Sequence, residues 1–252
     1  MYKPKKPIFV PWIHPTENNL ALARDLQAEA EKREVWFVPD VQHARWSWFE
    51  LENFCASSYP AKPLIRVPEI SPNLIVQALQ CGARGLMIPQ VKSAEEAKTV
   101  SRYAFFPPLG KRSKGGLRFD NRYGLMPDSQ YFEEAQSILI LLQIEDIEAI
   151  PAIDEIMSIE GIGGLFIGVE DLTLSDKSYG EGNKLITWDQ PIVWEAAELM
   201  ERAAKKYGKI WGMPITEELY KQKILNKYQK AFFFTVGVNQ IGLDAATKMN
   251  KG

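Results

Sequence analysis

The chain has 252 residues, 46% hydrophobic and 25% charged, with a formal net charge of −2 at pH 7. That length suits two small domains or one barrel of ordinary size, and that balance can bury one large core. No block of Lys and Arg supplies a phosphate-binding stripe and no apolar run reaches about 18 residues, so neither nucleic acid nor a membrane is an expected partner.

Taken in chain order, strand-like and helix-like patterns alternate from end to end. PIFVPWI is a short apolar run, followed by TENNLALARDLQAEAEKR with apolar spacing near 3.6 and Thr16 as its N-cap. VWFVPD and SWFELENFCAS form the second pair. PLIRVPE is followed by SPNLIVQALQCG, with Ser71 as N-cap, Pro72 at the first position and Gly82 as the stop. RGLMIPQ precedes SAEEAKTVSRYA, which opens on a capping box of Ser93 and Glu96. The pattern then breaks for about twenty residues, to roughly Asp128, a length usual for functional or disordered loops. SILILLQIE pairs with IEAIPAIDEIMSIEG, which carries Pro151 near its first turn. GLFIGVED, read as a strand, precedes a second irregular stretch, TLSDKSYGEGNKLITW, and the helix QPIVWEAAELMERAAKKYG. KIWGMPI with TEELYKQKILNKY, and KAFFFTV with VNQIGLDAATKMNKG, close the chain.

Eight βα units with short, continuously apolar strands predict a (β/α)8 (TIM) barrel, a single domain over residues 1–252. A doubly wound open sheet is the alternative, but no G-x-G-x-x-G follows the first strand and there is no P-loop. Cys55 and Cys81 fit no CxxC or zinc spacing and read as small buried hydrophobes. With no disulfide framework and no apolar h-region in MYKPKKPIFVPW, a soluble, cytoplasmic protein is expected. The short basic clusters MYKPKK and KYGK read as solvated surface.

Ionisable residues end several strands, on the side where barrels of this kind carry their chemistry. Glu145 and Asp171 end the fifth and sixth strands; two converging carboxylates suit a hard divalent cation, Mg²⁺ best, although two solvated strand-end acids would look the same. Asp40 and His43 are three residues apart, the spacing of a carboxylate that orients a general base or of a capping Asp beside a surface His. His14 ends the first strand with no partner in view and reads as a rim residue. Arg66, between apolar residues in L-I-R-V-P, needs an anion: a structural partner such as Glu69 or Glu170, or an anionic substrate. There is no G-x-S-x-G elbow, and Lys209 and Lys230 lie at strand starts, the wrong end for a Schiff base. A metal-assisted mechanism fits better.

The stretches RVPEISPNLIVQALQCGARGLMIPQVKSAEEA, FPPLGKRS and LLQIEDIEAIPAIDEIMSIEGIGGLFIGVEDLTLS, with the D-x-x-H of Asp40 and His43, resemble the HpcH/HpaI aldolases. The resemblance spans roughly residues 35–245 and implies a class II, metal-dependent pyruvate aldolase, a carbon–carbon lyase acting on 4-hydroxy-2-oxo acids through a pyruvate enolate. It implies a divalent metal (Mg²⁺, or Mn²⁺ or Co²⁺) on Glu145 and Asp171, and Arg66 at the keto oxygen. It further implies Gln143 on the oxo acid, backbone N–H groups near Glu170 and Asp171 at its carboxylate, Asp40 and His43 as acid/base, and Trp12 lining the pocket. The implied partners are a 2-oxo acid, an aldehyde and other copies of the chain, in a trimer or hexamer whose last helix is exchanged between subunits. The chain departs from the family pattern at Gln42, where an acid is usual, at Val169 and Glu170 in G-V-E-D-L-T, at Ser113 and at Asn239. With Trp46, Trp48, Phe49 and the loop at 106–124 as a pocket for a flat or apolar partner, the same enolate would serve a decarboxylase of oxaloacetate-type diacids or a synthase. A non-catalytic barrel that binds a 2-oxo acid is the third reading.

Overall fold

In the computed structural model, which describes residues 6–176 and 190–251, eight strands join edge to edge in chain order. They are β1 (Ile8–Ile13), β2 (Trp36–Pro39), β3 (Lys62–Arg66), β4 (Gly85–Ile88), β5 (Leu139–Ile144), β6 (Gly164–Ile167), β7 (Ile210–Pro214) and β8 (Ala231–Val238). All neighbours are parallel and β8 pairs back onto β1, which closes the barrel the sequence predicts. The helices are α1 (Asn19–Ala30), α2 (Trp48–Ser57), α3 (Pro72–Gln80), α4 (Ala94–Ala104), α5 (Asp128–Gln136), α6 (Ile153–Ser158), α7 (Val169–Ser175), α8 (Pro191–Tyr207), α9 (Glu217–Leu219) and α10 (Asn239–Lys251). Among the described residues no helix is long and apolar enough to cross a membrane.

The strands are apolar throughout because both faces are covered. One parity fills the barrel: Val10, Trp36, Val38, Leu64, Met87, Leu141, Phe166 and Phe233 belong to a single interior cluster. The other parity, including Phe37, Ile65, Leu142 and Phe234, packs outward against the helices. Because side chains alternate at period two, the interior parity carried toward the C-terminal ends reaches Trp12, Asp40, Arg66, Gln143 and Thr235. The polar site is thus the top layer of the same stack whose lower layers are the core.

Local signals hold in part. The Ser93–Glu96 capping box is formed, and Ser47 with Glu50 makes another that the sequence reading did not single out. Gly82 ends α3 with φ +91, where a Cβ would also meet the Phe119 ring. Ser71 precedes α3, but its hydroxyl makes no cap bond; Pro72 at the first position leaves one fewer N–H to satisfy. α1 starts three residues beyond Thr16, because the Thr16 N–H donates instead to the Asn19 side chain (2.7 Å).

Three differences matter more. The expected strand GLFIGVED stops at Ile167, and Val169–Ser175 is a helix, so Glu170 and Asp171 occupy a first turn rather than a strand end. The irregular stretch after α4 ends in an unanticipated helix, α5, entered from Pro127. The helix expected after β7 is reduced to α9 and a π-type turn over Tyr220–Ile224. Of the second irregular stretch, Thr173–Ser175 complete α7 and residues 177–188 lie outside the described residues. α10 packs on β1 and β8 of its own chain, where Asn250 brackets Phe9, accepting from its N–H (3.0 Å) and donating to its carbonyl (2.7 Å).

Candidate active site

A cavity of about 420 Å³ opens at the C-terminal ends of the strands and is lined by Trp12, His14, Asp40, His43, Arg66, Gln143, Glu145, Glu170, Asp171 and Thr235, among others. The residues that the family resemblance implies for metal, oxo acid and proton transfer all border this one space.

Its most fully hydrogen-bonded element is Asp40 with Arg66. The two are paired across β2 and β3, and the guanidinium forks onto the carboxylate, Nε to Oδ1 at 2.9 Å and a terminal nitrogen to Oδ2 at 2.7 Å. The guanidinium also lies 4.3 Å from the centre of the Trp12 ring. A planar cation locked by a fork below and an aromatic face beside it loses little entropy when an anionic oxygen arrives. Burial disfavours charge on Asp40, yet the Arg66 guanidinium and the His43 backbone N–H outweigh it and hold the carboxyl below its ordinary value. Arg66 therefore does need an anion, but its structural partner is Asp40, not Glu69 or Glu170.

The expected pairing of Asp40 with the His43 ring is replaced by another geometry. The chain turns after β2 so that the backbone N–H groups of Gln42 and His43 donate to Asp40 Oδ1 (3.1 and 3.2 Å). The imidazole that meets the carboxylate is that of His14, whose Nε2 lies 3.3 Å from Oδ2. His43 borders the cavity from its rim.

On the other wall, Glu145 is almost fully buried and accepts the Gln90 N–H at 2.8 Å, from a backbone held at φ +55. Burial pushes its carboxyl up to about 7; the Gln90 N–H and distant Arg66 act against this, and the negative charge of Asp171 adds to it. Gln143 Oε1, buried beside it, has no hydrogen-bond partner among the described residues. Glu145, with its charge disfavoured by burial and by the neighbouring Asp171 carboxylate, lies next to an orphaned amide oxygen; together they form an oxygen-only donor set that a hard divalent cation would satisfy. No group of three or more His, Cys, Asp or Glu is arranged around a metal position among the described residues.

Gly168 permits this arrangement. A Cβ there would fall 2.4 Å from Glu145 Oε2 and 2.6 Å from Glu145 Cβ. Gly168→Ala is therefore expected to push the carboxylate off the site, weakening divalent-cation binding in calorimetry while leaving pyruvate-independent folding cooperative; unchanged cation affinity would show that Glu145 is not a ligand.

The aromatic pocket proposed from sequence is not part of this cavity. Trp46 is buried against Phe54, and neither Trp48 nor Phe49 borders the space. The 106–124 segment follows α4 and so starts from the opposite end of the barrel, where Phe106 packs with Tyr131 and the buried Arg112 pairs with Asp120 (2.7 Å). Sequence reasoning missed Thr235, whose buried hydroxyl has no partner among the described residues, and undervalued His14. Both lie on the inward parity of their strands, the one signal that could have found them.

Comparisons with known proteins bear on the family and the fold. Residues 44–239 match the family model of the HpcH/HpaI aldolase/citrate lyase proteins. The chain is 33% identical over 183 residues to the 4-hydroxy-2-oxo-heptane-1,7-dioate aldolase of Klebsiella pneumoniae, a match covering 72% of this chain and 65% of that enzyme. It is 36% identical over 143 residues to the 2-keto-3-deoxy-L-rhamnonate aldolase of Salmonella gallinarum, covering 56% of this chain and 53% of the relative. The fold is similar to the crystal structure of an HpcH/HpaI aldolase from Desulfitobacterium hafniense, with a TM-score of 0.76 at 23% identity over 98% of this chain and 92% of the other. A family match over most of the chain, on a closed barrel whose C-terminal mouth holds the expected acids and arginine, makes this protein a member of the HpcH/HpaI aldolase/citrate lyase family.

Proposed function

We propose that the protein is a metal-dependent carbon–carbon lyase that cleaves 4-hydroxy-2-oxo acids to pyruvate and an aldehyde, and catalyses the reverse condensation. The observation that carries this reading is the Arg66 guanidinium, forked onto Asp40 and stacked on Trp12, in the same cavity as Glu145 and Asp171. Both cleavage and condensation pass through a pyruvate enolate, which places negative charge on the former keto oxygen. A preorientated guanidinium stabilises that charge more than the neutral ketone, which is the condition for catalysis. Glu145 and Asp171 would hold the divalent cation, Mg²⁺ or Mn²⁺, whose contribution when bound is Lewis-acid polarisation of the keto group. Gln143 would hydrogen-bond the oxo-acid end. The N–H groups at the start of α7, around Glu170 and Asp171, would receive its carboxylate, since the first turn of a helix leaves such donors unpaired. His43, at the rim of the cavity, would handle the carbon-bound proton, Asp40 would hold Arg66 in place, and Trp12 would wall the pocket.

The test is proton NMR of pyruvate in D₂O. Exchange of the methyl protons is expected with Mg²⁺ or Mn²⁺, to be lost on chelation and restored by adding metal back. Activity indifferent to EDTA would overturn the mechanism. Aldehyde addition measured beside CO₂ release from oxaloacetate distinguishes an aldolase from a decarboxylase on the same enolate site.

A further inference from the structure

The row of side chains at the top of the barrel runs through three adjacent strands. β1 and β2 are in register at Ile13 and Pro39, so the next step sets His14 beside Asp40, and Asp40 is in turn paired with Arg66. Asp40 thus lies between an imidazole and a guanidinium, contacting both. His14 is also held by its backbone: its N–H donates to Asn239 Oδ1 at 2.9 Å, and Asn239 stands at φ +49 at the start of α10. On β8, the strand on the other side of β1, the buried Thr235 hydroxyl borders the same cavity and has no hydrogen-bond partner among the described residues. A carboxylate against one nitrogen of a ring orients it and raises the basicity of the other.

We propose that His14 is a second acid/base residue of this site, oriented by Asp40, that takes the proton of the substrate's C4 hydroxyl during cleavage and returns it during condensation. This rests on the aldolase reading above. In cleavage the hydroxyl proton passes to His14 Nδ1 and the O–H electron pair becomes the second bond of the aldehyde carbonyl. The C3–C4 bond breaks, and its electron pair stays on the oxo-acid fragment as the enolate. The enolate carbon gains one proton from His43 or solvent and His14 releases the one it took, so a single substrate splits into two products with no net proton. Thr235, on the neighbouring strand, offers a hydrogen bond to the same oxygen. Two proton-handling groups divide the work: one at the carbon, one at the hydroxyl.

His14→Gln tests the division, because the glutamine amide replaces Nε2 against Asp40 and removes Nδ1. Two reactions are compared in the Mg²⁺-loaded protein: methyl exchange of pyruvate in D₂O, and cleavage of three 4-hydroxy-2-oxo acids bearing methyl, hydroxymethyl or carboxyethyl at C4. In His14→Gln, kcat for cleavage is expected to fall about 10²–10⁴-fold with KM little changed, while pyruvate exchange continues. One limb of the kcat pH profile should disappear. The other groups facing His14 across the cavity, Asp40, Arg66, His43, Glu145, Glu170 and Asp171, are unaltered in the variant, so that limb belongs to His14. Cleavage at the unmodified rate, or exchange and cleavage lost in parallel, would overturn the proposal, the latter by showing that His14 only props Asp40 and Arg66. Unmodified protein that exchanges pyruvate yet cleaves none of the three acids would overturn it too. Unmodified protein that does neither overturns the aldolase reading and this proposal together.

Discussion

Arg66→Ala is expected to abolish metal-dependent exchange of the pyruvate methyl group, and to lower kcat for cleavage at least about 10²–10³-fold, the usual effect of removing one preorganised donor to a developing oxyanion. The same change should destabilise the fold. Asp40 is fully buried and takes both oxygens' strongest contacts from Arg66. Removing one member of a buried pair leaves the other uncompensated, at a typical cost of about 3–5 kcal/mol. The two effects separate in a second variant: Arg66→Ala with Asp40→Asn should recover much of the lost stability in a denaturant titration and none of the exchange. Arg66→Lys should rescue neither fully, since one ammonium cannot make the two-point fork or stack on Trp12. Exchange that survives in Arg66→Ala would remove the guanidinium from the enolate chemistry.

The pair also sets a pH dependence with a defined sign. Asp40's carboxyl is held below its ordinary value in the folded chain. Its contribution to stability is therefore complete above the unfolded pKa, about 3.9, and is lost as pH falls through the lower folded value. In Arg66→Ala the cost of burying the charge remains and its main counterweight is gone, so acidification should relieve strain rather than create it.

The fold was legible because its strands are short, apolar and regularly separated by helices, and the strand-end acids and Arg66 were legible because each interrupts such a run. What could not be read is lateral. Asp40 meets His14 because β1 and β2 pair in one particular register, and a single sequence contains no statement of register between strands buried on both faces. The D-x-x-H spacing suggested a local dyad; the turn after β2 instead spends that proximity on backbone N–H groups. Asp171 looked like a strand end because V-E-D continues an apolar strand without a break. Gly168, which the Glu145 carboxylate overlies, ends the strand there, and the helix begins at once. The aromatic segment at Trp46–Phe49 looked like a substrate pocket because aromatic clusters serve core and site alike. Burial of Trp46 against Phe54 assigns this part of it to packing.

Glu145→Gln is expected to move activity and stability in opposite directions. Loss of a metal carboxylate should eliminate metal-dependent exchange and cleavage. In the metal-free protein, however, the wild-type acid is a liability. Burial, reinforced by Asp171, raises its carboxyl to about 7. An acid whose folded pKa lies above its unfolded one binds a proton more tightly when folded. Stability is then greatest below the unfolded value, near 4.3, and falls as pH rises through the folded value. Above that pH the metal-free fold carries a penalty on the order of 3–4 kcal/mol that glutamine does not. The glutamine can keep the acceptor that the Gln90 N–H uses at 2.8 Å. Metal-free Glu145→Gln should thus melt at a higher temperature than metal-free wild type at pH 8, and the gap should close toward pH 5. Adding Mg²⁺ should reverse the order at pH 8, since only the wild type gains a ligand bound to its folded state. If the variant instead melts lower at pH 8 without metal, the charge of Glu145 already has a compensating partner in the fold, and its assignment as half of a cation site fails.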